Sequence, residues 1–370
     1  MTSKENNLFE GLLELTDKGH GFLRDMRYNY SIKPSDPFVS QALIKQYHLR
    51  EGLLIQGRTN GTRGHNLTVK ELISLCGNEP DEYVEVQSFD DFVVVDPNEM
   101  IRLETGAEPL GTRVMDLLTP IGKGQRGLIV APPRTGKTIL LQQIAHGITT
   151  NHPDIHLMVL LVDERPEEVT DMRRNIQGEV VASCNDKDVD NHVRTARLAM
   201  ERAKRLVEFG RNVVVLLDSI TRLGRAFNSW TRSSGRTMSG GVDIRALQLP
   251  KQIFGGARNN ENGGSLTILA TALIETGSRM DDVIFQEFKG TGNMELVLDR
   301  QLANRRVFPA IDIQQSGTRK EELLIGKDHL EKIFRLRRHL DTMPAGQDVE
   351  TLVKTLKKHE SNASFLTELP

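Results

Sequence analysis

The chain has 370 residues, 38% of them hydrophobic and 26% charged, with a net charge of −2; this excludes a disordered or fibrous chain and supplies apolar material for one or two packed domains. No apolar run approaches the roughly 20 residues of a membrane span, and the start, MTSKENNLFEG, lacks the basic residues followed by an apolar stretch that mark a secretion signal. Two distant cysteines, Cys76 and Cys184, in no ligand-like spacing, exclude a disulfide framework and a Cys-based zinc site and suit a reducing cytoplasm.

Residues 8–78 read as short strands punctuated by glycine: Gly11–Leu15, Gly21–Leu23, Pro37–Val39, Leu53–Gln56 and Asn66–Val69, with a helix near Ser40–Tyr47. Such a pattern predicts a small β-barrel. Residues 79–108, with one basic residue against ten acids, are expected to form an acidic connector. Residues 8–70 carry nine basic residues against six acids. The connector therefore either steers a phosphate backbone onto the barrel or is simply a solvated linker. From Pro109 to the end, apolar strands alternate with helical stretches: Gly127–Val130, His156–Asp163, Asn212–Asp218 and Ser265–Leu273. That alternation predicts an α/β domain over 109–370, with a mostly parallel sheet covered by helices on both faces.

The strongest local signal is APPRTGKT at 131–138, between the apolar strand GLIV and the helical stretch ILLQQIAHGI. A phosphate-binding loop needs this strand–loop–helix context. Pro133, Arg134, Thr135 and Gly136 would wrap the phosphates, Lys137 would reach the terminal ones, Thr138 would ligate Mg²⁺, and Ile139 would open the helix beside the nucleotide. The first glycine of the usual pattern is replaced by Ala131. Two other strands end in acids, Asp218 after VVVLL and Glu164 after LMVLLVD. Asp218 suits a second metal-orienting role, and Glu164 suits a general base that polarises water. Hydrolysis also needs a cation on the developing phosphate charge. Arg300, Arg305, Arg306 and Arg319 are candidates, and spacing does not choose among them. Phe308 fits either a stack on adenine or ordinary packing. No histidine spacing suggests a metal site, so no metal beyond Mg²⁺ is expected.

Residues 233–243, SSGRTMSGGVD, are too rich in small polar residues for a strand or stable helix. Arg236 with the neighbouring hydroxyls suits a phosphate or 2′-OH contact. TGSRM at 276–280 is a second loop of this kind. In the barrel, GHGFLR at 19–24 alternates an aromatic, Phe22, with Arg24; Phe38 and Arg58 could extend a base-stacking platform.

Taken together these segments resemble the Rho family of bacterial transcription termination factors. The most specific stretches are GQRGLIVAPP (124–133), VDERPEEV (162–169), FKGTGNMEL (288–296), RVFPAID (306–312) and SGTRKEE (316–322). The resemblance runs from about Gly11 to the end, and Ala131 is normal in it. It implies a RecA-like P-loop ATPase domain preceded by a cold-shock-like OB barrel. It also implies a homohexameric ring with ATP and Mg²⁺ between subunits, moving 5′→3′ on single-stranded RNA and releasing it from RNA polymerase in the cytoplasm. By motif, it makes Glu164 the base and Arg165 its coupling neighbour. Arg319 becomes the arginine finger, Arg306 a second arginine across the interface, and Phe308 the adenine stack. It makes Arg236 with Thr237, Ser239 and Gly240 the first channel loop and Arg279 the cation of the second. Arginine stands where lysine is frequent at Arg134, Arg236 and Arg279. Departures cluster in the barrel: Thr16 and His20 replace an apolar residue and an aromatic, Gly61–Asn66 lacks a usual tyrosine, and the chain starts about where the barrel does, without the helical region expected ahead of it. A rotary ATP-synthase-like subunit or a DNA recombinase would share the core without the barrel patch and both loops. An RNA-binding regulator using ATP only as an assembly switch would not need Lys137, Glu164, Asp218 and Arg319 together.

Overall fold

The computed structural model describes residues 8–60, 67–231 and 237–369. Five strands, β1 (Leu8–Leu15), β2 (Gly21–Arg24), β3 (Phe38–Val39), β4 (Leu54–Asn60) and β5 (Thr68–Leu75), close into a barrel in the order β1-β2-β3-β5-β4, with helix α1 (Gln41–Gln46) between β3 and β4. Leu13, Leu23, Val39, Ile55, Val69 and Leu75 fill it. β1, β4 and β5 run past the expected limits. Antiparallel pairing continues through charged positions such as Arg58↔Glu71 because those side chains face solvent while alternate residues face the core.

The second domain is built on a sheet of nine strands: β6 (Val94–Val95), β7 (Arg126–Ala131), β8 (His156–Glu164), β9 (Glu179–Cys184), β10 (Val213–Asp218), β11 (Arg258–Asn260), β12 (Ser265–Leu273), β13 (Met294–Val297) and β14 (Gly317–Thr318). The six strands β13-β7-β12-β10-β8-β9 are mutually parallel, and β14 joins the β13 edge antiparallel. The helices are α2 (Leu110–Leu118), α3 (Lys137–Asn151), α4 (Pro166–Asn175), α5 (Val189–Glu208), α6 (Ile220–Trp230), α7 (Gln248–Gly255), α8 (Arg279–Lys289), α9 (Arg300–Asn304), α10 (Lys327–Asp341), α11 (Gln347–Leu356) and α12 (Asn362–Glu368). Continuous apolar runs are what a sheet buried on both faces requires. In β8, Leu157, Val159 and Leu161 enter one core, and Met158, Leu160 and Val162 enter the core on the opposite face.

Residues 79–108 lie against both domains. Tyr83 packs into the barrel core and stacks on Phe209 at 5.7 Å, Phe89 enters the second domain's core, and β6 pairs with β11. The barrel itself touches α5. Gly52 is at φ +86, and a Cβ there would lie 2.4 Å from the backbone carbon of Glu201, so only glycine permits that approach. Tyr30 and Leu12 of the barrel belong to a core shared with β8, β10 and α5.

Candidate functional site

Parallel strands place their carboxyl ends on one edge of the sheet, where ligands bind in open α/β folds. The loop 132–136 leaves β7 there and turns into α3 at Gly136. Thr135 is buried and its hydroxyl donates to the Pro132 carbonyl, bracing the loop, while Pro133 and Arg134 are exposed. Lys137 reaches over β12 to Asp218 at the end of β10, its Nζ 2.5 and 2.6 Å from the two carboxylate oxygens. Thr271 of β12 donates to the same Asp218. Glu164, at the end of the adjacent β8, lies 3.7 Å from Lys137 Nζ. Burial first, and then the Asp218 charge, push the Glu164 carboxyl up to about 7. Its Oε2 is buried without a hydrogen-bond partner among the described residues. A buried acceptor left free beside the phosphate-binding lysine suits a base that takes a proton from water.

Thr138 follows Lys137 in the first turn of α3 and Asp218 meets that lysine, so a hydroxyl and a carboxylate are the pair of hard oxygen donors at this helix end. Among the described residues no group of three or more His, Cys, Asp and Glu side chains could hold a metal ion. The pair fits Mg²⁺, which uses few protein ligands and completes its shell with phosphate and water. Next to the loop lies a cavity of about 350 Å³ lined by Ile139, Leu140, Phe308 and Pro309, with Glu108, Gln143 and Lys357 as polar groups. Phe308 is 47% exposed and Ile139 61%, so both present open apolar surface to it. The packing alternative for Phe308 is therefore not what its surroundings show.

The predicted arginines separate. Arg165, exposed, is the N-cap residue of α4 directly after Glu164. Arg306, also exposed, stands two residues before Phe308, which lines the cavity. Arg319 lies elsewhere: its N–H donates to the Asn293 carbonyl, and the Asn293 N–H donates to the Arg126 carbonyl at the start of β7. Lys137 follows the other end of that six-residue strand. At about 3.3 Å per residue the two ends are roughly 17 Å apart. Arg319 thus stands at the end of β7 opposite the phosphate loop of its own chain.

Helix α6 joins the carboxylates to the loops. The Arg222 guanidinium donates to the Asp163 carbonyl and lies 3.4 Å from Glu164. One turn on, Arg225 makes two 2.6 Å bonds to Asp281 in the first turn of α8, which begins at Arg279. The two loops meet: a Cβ on Gly240 (φ +75) would lie 2.7 Å from the Arg279 carbonyl oxygen. Thr237, Ser239 and Arg279 are exposed beside this contact, whereas Arg236 lies outside the described residues.

On the barrel, Phe22 and Phe38 face each other at 5.8 Å between ring centroids, and His20 completes a trio at 5.7 and 5.1 Å. The Arg24 guanidinium lies 5.0 Å from the Phe22 ring centre but is buried, bonded to Glu14 at 2.5 Å and Asp36 at 2.6 Å. Burial would raise the Glu14 carboxyl; Arg194 and Arg24 hold it below the ordinary carboxylate range. Arg58 stands with Glu71 at 3.4 Å instead of joining the rings. Thr16 closes the turn onto the His20 carbonyl. Residues 61–66, where a tyrosine is missing, lie outside the described residues.

Sequence reading missed Arg222, whose signal was its place one turn past Asp218. Among the described residues no helix is long and apolar enough to cross a membrane.

Fold and site define a P-loop ATPase carrying a separate β-barrel. The nucleotide-binding domain of the ATP synthase alpha/beta family matches residues 111–318, and the Rho termination factor RNA-binding domain matches residues 9–75. An ATPase from the type III secretion system of pathogenic bacteria has the same fold at a TM-score of 0.63, with 22% identity, over 75% of this chain and 86% of that one. Transcription termination factor Rho of Cereibacter sphaeroides is 52% identical over 97% of this chain and 86% of its own length. That of Micrococcus luteus is 52% identical over 96% of this chain and 53% of its own, so the chain spans about half of that longer relative. The chain belongs to the Rho family of transcription termination factors.

Proposed function

We propose that this protein is an RNA-dependent ATPase that assembles into a homohexameric ring. It would move 5′→3′ along single-stranded RNA and release transcripts from RNA polymerase in the cytoplasm. The observation that carries the ring is the placement of Arg319 at the opposite end of β7 from Lys137. An arginine that cannot reach its own site completes a site only on a neighbouring copy.

In such a site Lys137 leaves Asp218 for the β- and γ-phosphates of ATP. Thr138 and Asp218 would hold Mg²⁺, which supplies charge neutralisation on the phosphate oxygens. Glu164 accepts a proton from the attacking water, helped by the free Oε2. Arg319 of the neighbouring copy meets the charge that develops on the transferred phosphoryl group. Phe308 and Ile139 hold the base. The Gly240–Arg279 contact lines the channel for RNA, and His20, Phe22 and Phe38 stack bases on the barrel.

The test is ATP turnover with no polymer, with poly(C) and with single-stranded DNA, alongside the oligomer mass with nucleotide and RNA. RNA alone should stimulate strongly. Mixing Lys137→Ala with Arg319→Ala subunits should recover turnover, because some interfaces then combine an intact loop with an intact arginine. A protein that stays monomeric with nucleotide and RNA, or ignores RNA, ends the reading.

A further inference from the structure

We propose that Arg194 and His192, in the first turns of α5, are positioning residues that connect RNA on the barrel to the carboxylate of Glu164. The proposal rests on the RNA-dependent ATPase reading.

Glu14 of β1 is shared by two guanidiniums. Arg24, beside the Phe22 ring, takes Oε2 at 2.5 Å. Arg194 of α5 takes Oε1 at 2.5 Å and Oε2 at 2.8 Å, and also donates to the Tyr30 carbonyl at 2.6 Å. One carboxylate therefore ties the base-stacking platform to a helix of the ATPase domain. Two residues earlier on that helix, His192 turns to the sheet. Its Nδ1 is 2.7 Å from the Ser183 hydroxyl on β9, and its Nε2 is 4.0 Å from Asp163 Oδ1.

Asp163 is the residue through which this contact acts. It adopts φ +57, a left-handed conformation uncommon outside glycine, asparagine and aspartate, at a break in the β8–β9 register between Val162 and Glu164. That local distortion sets where Glu164 points. Arg222 holds its carbonyl on one side, and on the other the His192 ring abuts its carboxylate at 4.0 Å, a packing contact and not a hydrogen bond. A base that stacks on Phe22 presses on the buried Arg24 guanidinium beside that ring, and a displaced Arg24 loosens its hold on Glu14. A carboxylate this buried then relies on Arg194, and the start of α5 shifts with it. His192 carries the shift to Asp163 and so to Glu164. Coupling of this kind is reciprocal, so nucleotide should also alter RNA affinity at the barrel.

The experiment compares the intact ring with Arg194→Ala, Arg194→Lys, Glu14→Gln, the Glu14→Gln/Arg194→Ala pair and His192→Gln. Three quantities are read: affinity for a short fluorescent pyrimidine oligoribonucleotide, KM for ATP, and turnover at saturating poly(C). Arg194→Ala should bind the oligonucleotide and ATP as wild type does, yet lose about fivefold or more in RNA-stimulated kcat. Glu14→Gln should lose the same amount, and the pair no more than either single change, because both cut one link. Arg194→Lys should recover much of the loss, and His192→Gln should lower kcat with KM for ATP unchanged. If Arg194→Ala does not fold, Glu14→Gln and Arg194→Lys carry the comparison. Wild-type stimulation in Glu14→Gln, losses that multiply in the pair, or an unaffected kcat in His192→Gln would overturn the proposal. Absent stimulation in the wild type would instead reject the functional reading beneath it.

Discussion

Lys137 Nζ sits between both oxygens of Asp218, at 2.5 and 2.6 Å, and stands 3.7 Å from Glu164. One ammonium serves two carboxylates that are each almost fully buried, with the Arg222 guanidinium 3.4 Å from Glu164 as the other nearby cation. Lys137→Ala therefore leaves two acids facing each other in a poor solvent for charge. The nucleotide-free protein should lose about 1–3 kcal/mol, between the values of exposed and fully buried pairs. Adding Asp218→Asn should return part of it. Urea unfolding without nucleotide measures both, and an unshifted midpoint in Lys137→Ala would contradict this account.

Glu164→Gln keeps the shape and removes the carboxylate proposed as the base. Turnover should drop by about 10²–10⁴ with ATP binding retained. Burial and Asp218 hold the carboxyl near 7, and only its ionised form accepts a proton. Wild-type kcat/KM should thus climb with pH through about 7, and the residual activity of Glu164→Gln should lack that rise.

Phe308→Ala removes the aromatic wall of the cavity proposed to hold the base. KM for ATP should rise about tenfold, as expected for the loss of roughly 1.4 kcal/mol. Phe308→Tyr, which keeps the ring, should stay close to wild type. Steady-state kinetics at saturating RNA distinguishes the two.

Gly240→Ala puts a Cβ into the Arg279 carbonyl at a positive φ. The strain, about 1–2 kcal/mol, should push the two loops apart. RNA-stimulated turnover should fall about tenfold if that contact lines the RNA path, while a fluorescent ATP analogue binds as before. Normal stimulation in Gly240→Ala would remove this contact from the mechanism.

Asp116 accepts the backbone N–H groups of Leu103 and Glu104, and burial lifts its carboxyl from 3.8 to about 7. The folded protein thus binds more protons than the unfolded chain between those values. Stability should decline as pH rises through that window, and Glu164 adds to the same trend. Asp116→Asn should flatten part of the Tm-against-pH slope. An unchanged slope would mean that Asp116 titrates normally.

The phosphate loop, the acids Glu164 and Asp218 and the two-domain α/β plan were legible from residues alone. Each depends on local chemistry: a loop between an apolar strand and a helix, or an acid where a buried strand runs out. The resemblance supplied roles for Arg319, Phe308 and the loops that spacing could not assign. Only the tertiary structure showed that Arg319 stands at the strand end opposite its own phosphate loop and that Arg24 is held in buried ion pairs. It alone joined Glu14 to Arg194 across 180 residues and set Gly240 on Arg279. The reason is physical: periodicity encodes which face of an element is buried, whereas pairings between distant side chains arise only when separate elements pack, and no local pattern records them.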